Sequence, residues 1–406
     1  MTTDQPNHSW RGPGMREFVA LMAALMASNA LAIDAMLPAL PAIGHALGVG
    51  EDNRRQLVIT AYLIGFGIAQ LAYGPLSDRF GRKALLIGSL ACYAAFATLA
   101  GLAASFPLLL AARMLQGMAA AGSRVLVMAI VRDRYHGSAM ARVMSLTMIV
   151  FMIVPVLAPA FGQATLAVAS WRHIFIGLAA YALVLMLWSA WRLPETLTAE
   201  RRRSLSAAHI GEAIVATLGA RQSIGNTLAL TLAFGGLLGF INSIQQIVFD
   251  VFGRPELIAL VFACIAGPMA LASYANSRLV MRLGSRRILL TALAAFSATA
   301  LFHMVAGALF GETIWSFVVL QALTMACFGL VGANASALAM EPLGHVAGTA
   351  SAVQGLISTI GGALIGLAIG QAFDGTTAPL LAGFTLCGAL AFAMAYWANR
   401  TAAVAE

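Results

Sequence analysis

Three features of the sequence predict an all-α integral membrane protein with twelve transmembrane helices in two pseudo-symmetric six-helix bundles. Of the 406 residues, 60% are apolar and only 10% are charged, against about 25% charged in an ordinary soluble domain. The charges that remain punctuate long apolar blocks. A short segment in the first quarter of the chain returns, in weakened form, half a chain length later. These features exclude a soluble enzyme, a disordered chain and a nucleic-acid module. The +8 charge balance is no DNA footprint, because the basic residues sit in short loops.

A span needs about 20 mostly apolar residues. By that measure the first half holds spans at 16–40, 56–76, 84–103, 107–130, 140–163 and 172–193. The second half holds 223–249, 256–277, 288–310, 314–338, 346–370 and 378–399. The first stretch lies where a signal peptide would, but it is long, carries Asp34, Pro38 and Pro41, and eleven more spans follow. It is read as an uncleaved span. An even number of spans puts both termini on one side. Of the 24 basic residues, 18 fall in loops on that side, while Arg54, Arg55, Arg172 and Arg254 lie opposite and Arg113 and Arg124 fall within span 4. The positive-inside rule therefore puts both termini in the cytosol.

The expected division is 1–193 for the N-terminal bundle, 194–222 for a cytosolic linker and 223–406 for the C-terminal bundle. The linker carries Arg201-Arg202-Arg203 and a mildly amphipathic stretch, as for a surface helix lying against anionic headgroups. Cys92, Cys264, Cys327 and Cys387 lie in apolar runs without metal-ligand spacing and read as small buried hydrophobes. No metal or other cofactor is expected.

Leu76-Ser77-Asp78-Arg79-Phe80-Gly81 returns as Leu279-Val280-Met281-Arg282-Leu283-Gly284, offset by 203 residues, half of 406. Each copy follows the second span of its half, on the cytosolic side. Parallel six-helix halves related by an axis along the membrane normal are one transporter plan, with substrate bound near the midplane between them.

Asp34 is the only one of sixteen acids placed deep in a span; Glu17, Asp250 and Glu341 come nearest among the rest. A charge at that depth costs about 2.5–3.5 kcal/mol by insertion scales, and taking up a proton removes it. Asp34 is therefore the candidate proton-coupling acid, with a structural ion pair or a capped kink at Pro38 as the plainer alternative. Arg113 is the candidate partner. Asp34 lies about 27 Å along span 1 at 1.5 Å per residue, and Arg113 about 9 Å below the outer surface of a core about 30 Å thick. An ordinary structural pairing is the alternative for Arg113. Asn29, Tyr62, Gln116, Phe240, Asn242, Gln246 and Asn334 are polar or aromatic residues within spans and are nominated as substrate contacts, interhelical hydrogen bonding or lipid contact being the alternative for each. The seven histidines are scattered, and His303 has no expected acidic neighbour.

Several motifs give a more specific resemblance. Gly74-Pro75-Leu76-Ser77-Asp78-Arg79-Phe80-Gly81-Arg82-Lys83 resembles the loop signature of the major facilitator superfamily, and Arg113-Met114-Leu115-Gln116-Gly117 its helix-4 motif. Pro155-Val156-Leu157-Ala158-Pro159-Ala160-Phe161-Gly162 resembles the antiporter motif, with Ala158 where Gly usually precedes the proline. Ile33 to Pro41, Ser170 to Phe175, Asn276 to Gly284 and Ala347 to Ala352 are similar to the Bcr/CflA group of drug:proton antiporters.

That resemblance implies the major facilitator fold and a proton-coupled multidrug exporter of the bacterial inner membrane, working as a monomer on the proton gradient. It implies a role for Arg113 in proton transfer or in tuning the acid. It implies a conformational latch at Gly74, Asp78, Arg79, Gly81 and Arg82, with Asp78 set against the N-terminus of span 11, and an antiporter element at Pro155, Pro159 and Gly162. Its partners are small-molecule drugs or metabolites, protons and the lipid bilayer. The near alternative is a proton-coupled facilitator for a single metabolite. A channel or membrane enzyme is the alternative from another class; it lacks support in any polar ring, filter motif, or His or carboxylate cluster in the sequence.

Overall fold

The computed structural model describes residues 12–197 and 207–400. The helices are α1 (Met15–Asp34), α2 (Leu40–Ala46), α3 (Leu57–Phe80), α4 (Arg82–Gly101), α5 (Phe106–Arg134), α6 (Gly137–Val168) and α7 (Arg172–Arg192) in the first half. They continue as α8 (Ala207–Gly219), α9 (Arg221–Gln246), α10 (Ile258–Leu283), α11 (Ser285–Phe310), α12 (Ile314–Met340), α13 (Ala347–Gln371) and α14 (Ala378–Asn399). Strands are absent among the described residues. Eleven helical segments there are long and apolar enough to cross a membrane. The remaining span is α6, which carries the shorter apolar stretch Ile153–Val168. The linker contributes α8, packed on α13 and α9; Arg201-Arg202-Arg203 lies outside the described residues.

Several span ends differ from the sequence expectation by four to six residues, and two of these differences bear on the site. The first span runs Met15–Ala46, in two helices joined by a 3₁₀ turn at Leu37–Ala39. Prolines at 38 and 41 remove two backbone donors and break the helix there. The second runs on to Phe80, so Asp78 and Arg79 stand in its last turn and not in a loop. Their charges do not end the helix; Gly81 does, at φ 96°, a conformation that favours glycine.

The two halves repeat one packing plan. In the first, α3 packs on α5, α1 on α6 and α7, and α4 on α5 and α7. In the second, α10 packs on α12, α9 on α13 and α14, and α11 on α12 and α14. The turn at Gly81 has its counterpart at Gly284, φ 73°, and 284 − 81 is again 203. The halves meet through α3 with α13 and α6 with α10, two contacts that the pseudo-symmetry exchanges, since α3 corresponds to α10 and α6 to α13.

Small residues permit the closest helix crossings. A Cβ at Gly65 would run into the Met114 carbonyl, and one at Gly117 into the Tyr62 carbonyl, so α3 and α5 interlock backbone to backbone. Gly366 does the same for α13 against α9, where a Cβ would stand 2.8 Å from the Leu238 backbone carbon, and one at Gly362 would meet the Phe234 ring at 2.8 Å. Toward the end that carries Met15, here the base, each half has its own apolar core, around Phe18, Leu86 and Leu126 in one and Ala229, Leu289 and Val331 in the other. Toward the far end a single core runs through both, from Ile33 and Tyr62 to Phe240 and Phe317. The molecule is closed at its far end.

Candidate functional site

The break in the first span sets the site. Asp34 is the last residue of α1; it is buried at 4% exposure, and its Oδ1 has no hydrogen-bond partner. No ion pair to Asp34 occurs among the described residues. The next turn, Leu37–Ala39, touches α6 of its own half and α9 of the other. Gly162 of α6 lies directly on it: a Cβ there would overlap the Ala35 carbonyl and stand 2.9 Å from Pro38 Cγ. The glycine of the antiporter-like motif is thus what lets α6 reach the residue after Asp34. Pro155 and Pro159 lie within the same helix.

Arg113 is fully buried, at the level expected, but its partners are not carboxylates. Its Nη2 donates to the Ala32 carbonyl at 3.0 Å, Nε to the Val58 carbonyl at 3.1 Å, and Nη1 to Gln116 Oε1 at 2.8 Å. The guanidinium lies over the Tyr62 ring at 4.4 Å, a favourable cation–π geometry. The helix break explains the Ala32 bond. In an unbroken helix the Met36 N–H would take that carbonyl; here it turns to Ile33 O at 3.4 Å. Arg113 therefore caps the C-terminal end of α1, where the helix dipole favours a cation, two residues before Asp34. Tyr62 in turn donates to Asn29 Oδ1 at 2.9 Å. Three of the nominated residues, Asn29, Tyr62 and Gln116, form one cluster with Arg113 below Asp34.

The nominated residues of the second half scatter. Phe240 packs against Phe262, ring centroids 5.8 Å apart. Asn242 is buried with Oδ1 unpartnered. Asn334 donates to Asn276 Oδ1 at 2.7 Å and ties α12 to α10 within its own half. Gln246 belongs to the far-end closure. Its Oε1 accepts from Gln56 Nε2 at 2.6 Å, and its Nε2 donates to Asn53 Oδ1 at 2.7 Å. Asn53 Nδ2 reaches the Gln371 and Phe373 carbonyls at 3.1 Å each, Gln56 Nε2 the Gly370 carbonyl at 3.0 Å, and Gln371 Nε2 the Asn53 carbonyl at 2.6 Å. Four side-chain amides thus seal the two halves together. Nearer mid-depth, Gln70 donates to Thr359 Oγ1 at 3.0 Å.

At the base, Arg82 pairs with Asp78 at 2.6 Å and with Asp133 at 3.1 Å. The backbone N–H groups of Arg82 and Lys83 donate to Glu195, at 2.8 and 3.1 Å, so this carboxylate occupies the N-terminus of α4, where charge and dipole agree. Glu195 Oε2 stands 2.5 Å from where a Cβ at Gly81 would be. Arg79 is exposed and lies over Phe80 at 5.3 Å. Gly74 has open space beside it in this conformation. Asp78 is paired within its own half and not with the start of α13.

Sequence reasoning missed Asp133 and Glu195, which looked like ordinary loop charges, and the amides Asn53, Gln56 and Gln371, which carry no charge to draw attention. It also erred on His303. Glu312, from the turn after the same helix, is hydrogen-bonded to His303 Nε2; a nine-residue separation hid a pair that the helix end folds together.

The profile of the Major Facilitator Superfamily matches residues 22–366. The chain is 30% identical over 374 residues to the "Uncharacterized MFS-type transporter YdgK" of Bacillus subtilis, with 89% of this chain and 90% of that one covered. It is 27% identical over 376 residues to a "Bicyclomycin resistance protein homolog" of Haemophilus influenzae, covering 91% and 93%. It is 28% identical over 354 residues to "Multidrug resistance protein MdtL" of Escherichia coli, covering 86% and 87%. Its fold is similar to the crystal structure of the human organic anion transporter MFSD10 (TETRAN), with TM-score 0.65 at 19% identity, covering 95% of this chain and 100% of that one. The chain belongs to the major facilitator superfamily.

Proposed function

We propose that this protein exports hydrophobic or cationic small molecules across the bacterial inner membrane in exchange for protons, with its base in the cytosol and Asp34 as the proton-carrying group. One observation carries the reading. A carboxylate is buried without an ion-pair partner at a break in the first span, where the chain touches both α6 and the opposite half. A lone buried charge is costly, so the site favours either a proton or a bound cation there. Exchange of one for the other is antiport. The names of two relatives, in bicyclomycin and multidrug resistance, agree with the Bcr/CflA resemblance and favour a drug as the cargo.

In this scheme the sealed far end and the divided base correspond to the state that loads from the cytosol. Drug binding displaces the Asp34 proton toward the cytosol, and the halves rock to open the far end. A proton entering from outside then neutralises Asp34 and weakens drug binding. Arg113 places a fixed positive charge at the C-terminal end of α1, on the Ala32 carbonyl two residues before the acid. One proton falling through about 150 mV supplies roughly 3.5 kcal/mol, at about 2.3 kcal/mol per 100 mV, enough for a ratio of a few hundred for a neutral drug. The protein acts as a monomer, and Asp78 reaches the N-terminus of α13 only when the base closes.

The test is proton release from purified protein in detergent on adding tetraphenylphosphonium, in wild type and Asp34→Asn. Release from wild type but not from the variant supports the reading. Binding without release from wild type between about pH 6 and 8 overturns antiport and leaves a uniporter. Competition by only one metabolite in a panel would favour the single-substrate facilitator.

A further inference from the structure

We propose that His303 and Glu312 form a second proton-binding site, at the far end of the C-terminal half, and that its occupancy sets how firmly the loop between α13 and α14 is held. This inference does not depend on Asp34. His303 lies seven residues before the end of α11 at Phe310, about 10 Å into the helix at 1.5 Å per residue. Its ring is fully buried and tilted against Phe317 at 5.6 Å. Glu312, in the turn between α11 and α12, folds back over the helix end. One carboxylate oxygen is hydrogen-bonded to His303 Nε2, and the other accepts from the Thr377 hydroxyl. Three helices are joined at this corner, because Thr377 immediately precedes α14.

The surroundings bring no compensating charge. The helices packed on α11 are α12, α14 and α10; α12 and α14 contain no charged residue. At the far end of α10, Arg254 and Glu256 pair with each other at 2.6 Å. On the α13–α14 loop, Asp374 accepts from the Thr376 hydroxyl at 2.7 Å. His303 is the only ion-pair partner of Glu312 among the described residues. An ionised Glu312 beside a neutral imidazole therefore leaves an unbalanced negative charge, with the Glu312 side chain only 12% exposed.

The acceptor carboxylate fixes the neutral tautomer with its proton on Nε2 and leaves a lone pair on Nδ1, which is buried and without a partner. Uptake of one proton forms an N–H bond at Nδ1 and turns the ring into an imidazolium. The corner then becomes a neutral ion pair.

The same proton weakens another bond. A carboxylate neutralised by an adjoining imidazolium is a poorer acceptor for the Thr377 hydroxyl. Thr377 ends the loop whose start carries the Gln371 and Phe373 carbonyls gripped by Asn53. Protonation of the pair therefore loosens the loop that closes the far end.

The test uses full-length protein in detergent with ¹³C-labelled histidine, in an Asp34→Asn background, with His303→Gln to identify the signal. The His303 resonance is expected to follow pH reversibly. Glu312→Gln, which keeps the side chain's size and removes its charge, should change that response. A static resonance, or equal midpoints with and without Glu312, overturns the site.

Spin labels at Ala104 and Ala308, both exposed, in a chain whose four cysteines are replaced, report the far-end separation. Acid should lengthen that distance with Glu312 present and not with Glu312→Gln; an equal response in both overturns the link to the loop. Should Glu312→Gln fail to fold, Thr377→Val keeps the pair and removes only the link. It should lengthen the distance at neutral pH, and an unchanged distance overturns that link as well.

Discussion

Gly370→Ala is expected to open the far end without unfolding the protein. A Cβ at that position would overlap Gln56 Oε1, stand 2.8 Å from Gln56 Cδ, and lie 3.0 Å from Asn242 Cβ. Gln56 must swing away, and with it go its bonds to the Gly370 carbonyl and to Gln246. At about 0.5–1.5 kcal/mol net per hydrogen bond, two bonds amount to about 1–3 kcal/mol. The loss falls on the sealed state alone, because Gln56 and Gly370 belong to opposite halves and part when the far end opens. The ratio of sealed to open molecules should therefore fall about 5- to 150-fold. Spin labels at Ala104 and Ala308 read that ratio as a second, longer distance, and a thermal melt checks that the fold is intact. A distance distribution identical to wild type in a well-folded variant would refute the idea that the amide cluster holds the halves together.

Other expectations follow from the same contacts. Arg113→Lys replaces a planar fork that serves Ala32, Val58 and Gln116 by a point charge; losing at least one charged hydrogen bond should lower stability by about 1.5–3 kcal/mol, read by thermal unfolding in detergent. Gly81→Ala and Gly284→Ala both strain a positive φ with extended ψ, at about 1–3 kcal/mol. Only Gly81→Ala also displaces Glu195 from the start of α4, so its melting temperature should fall further than that of Gly284→Ala. Asp374 is held below the usual carboxylate range by its hydrogen bond from Thr376. A depressed carboxylate contributes above its unfolded value and loses that contribution only as pH falls through the folded value. Asp374→Asn should therefore leave any response of the Ala104–Ala308 distance between about pH 6 and 8 unchanged, which separates it from Glu312→Gln.

What the sequence made legible was whatever a single residue announces locally. Apolar runs marked the spans, a carboxylate inside one of them marked Asp34, and a glycine after Arg79-Phe80 marked the hinge. Pairings across the fold were not legible. Depth along two helices brought Arg113 level with Asp34, but depth says nothing of direction, and the guanidinium bonds the Ala32 carbonyl, which is free only because the helix breaks there. Gln56 and Gln246 meet across a separation of 190 residues, and neither carries a charge that hydropathy would register. The first span, expected over 16–40, breaks at Leu37–Ala39 and continues as a helix to Ala46.

The two hinges at Gly81 and Gly284 share a backbone shape but not a setting. Glu195 and the Arg82 pairs grip the first, whereas the position beside Gly284 is empty. If the halves rock against each other, the N-terminal one turns as a braced block, with the linker's first residues pinned to its base. The C-terminal one has a looser joint between its second and third spans. The near-symmetric architecture would then move asymmetrically, and drift in sequence would be tolerated at one hinge far more readily than at its twin.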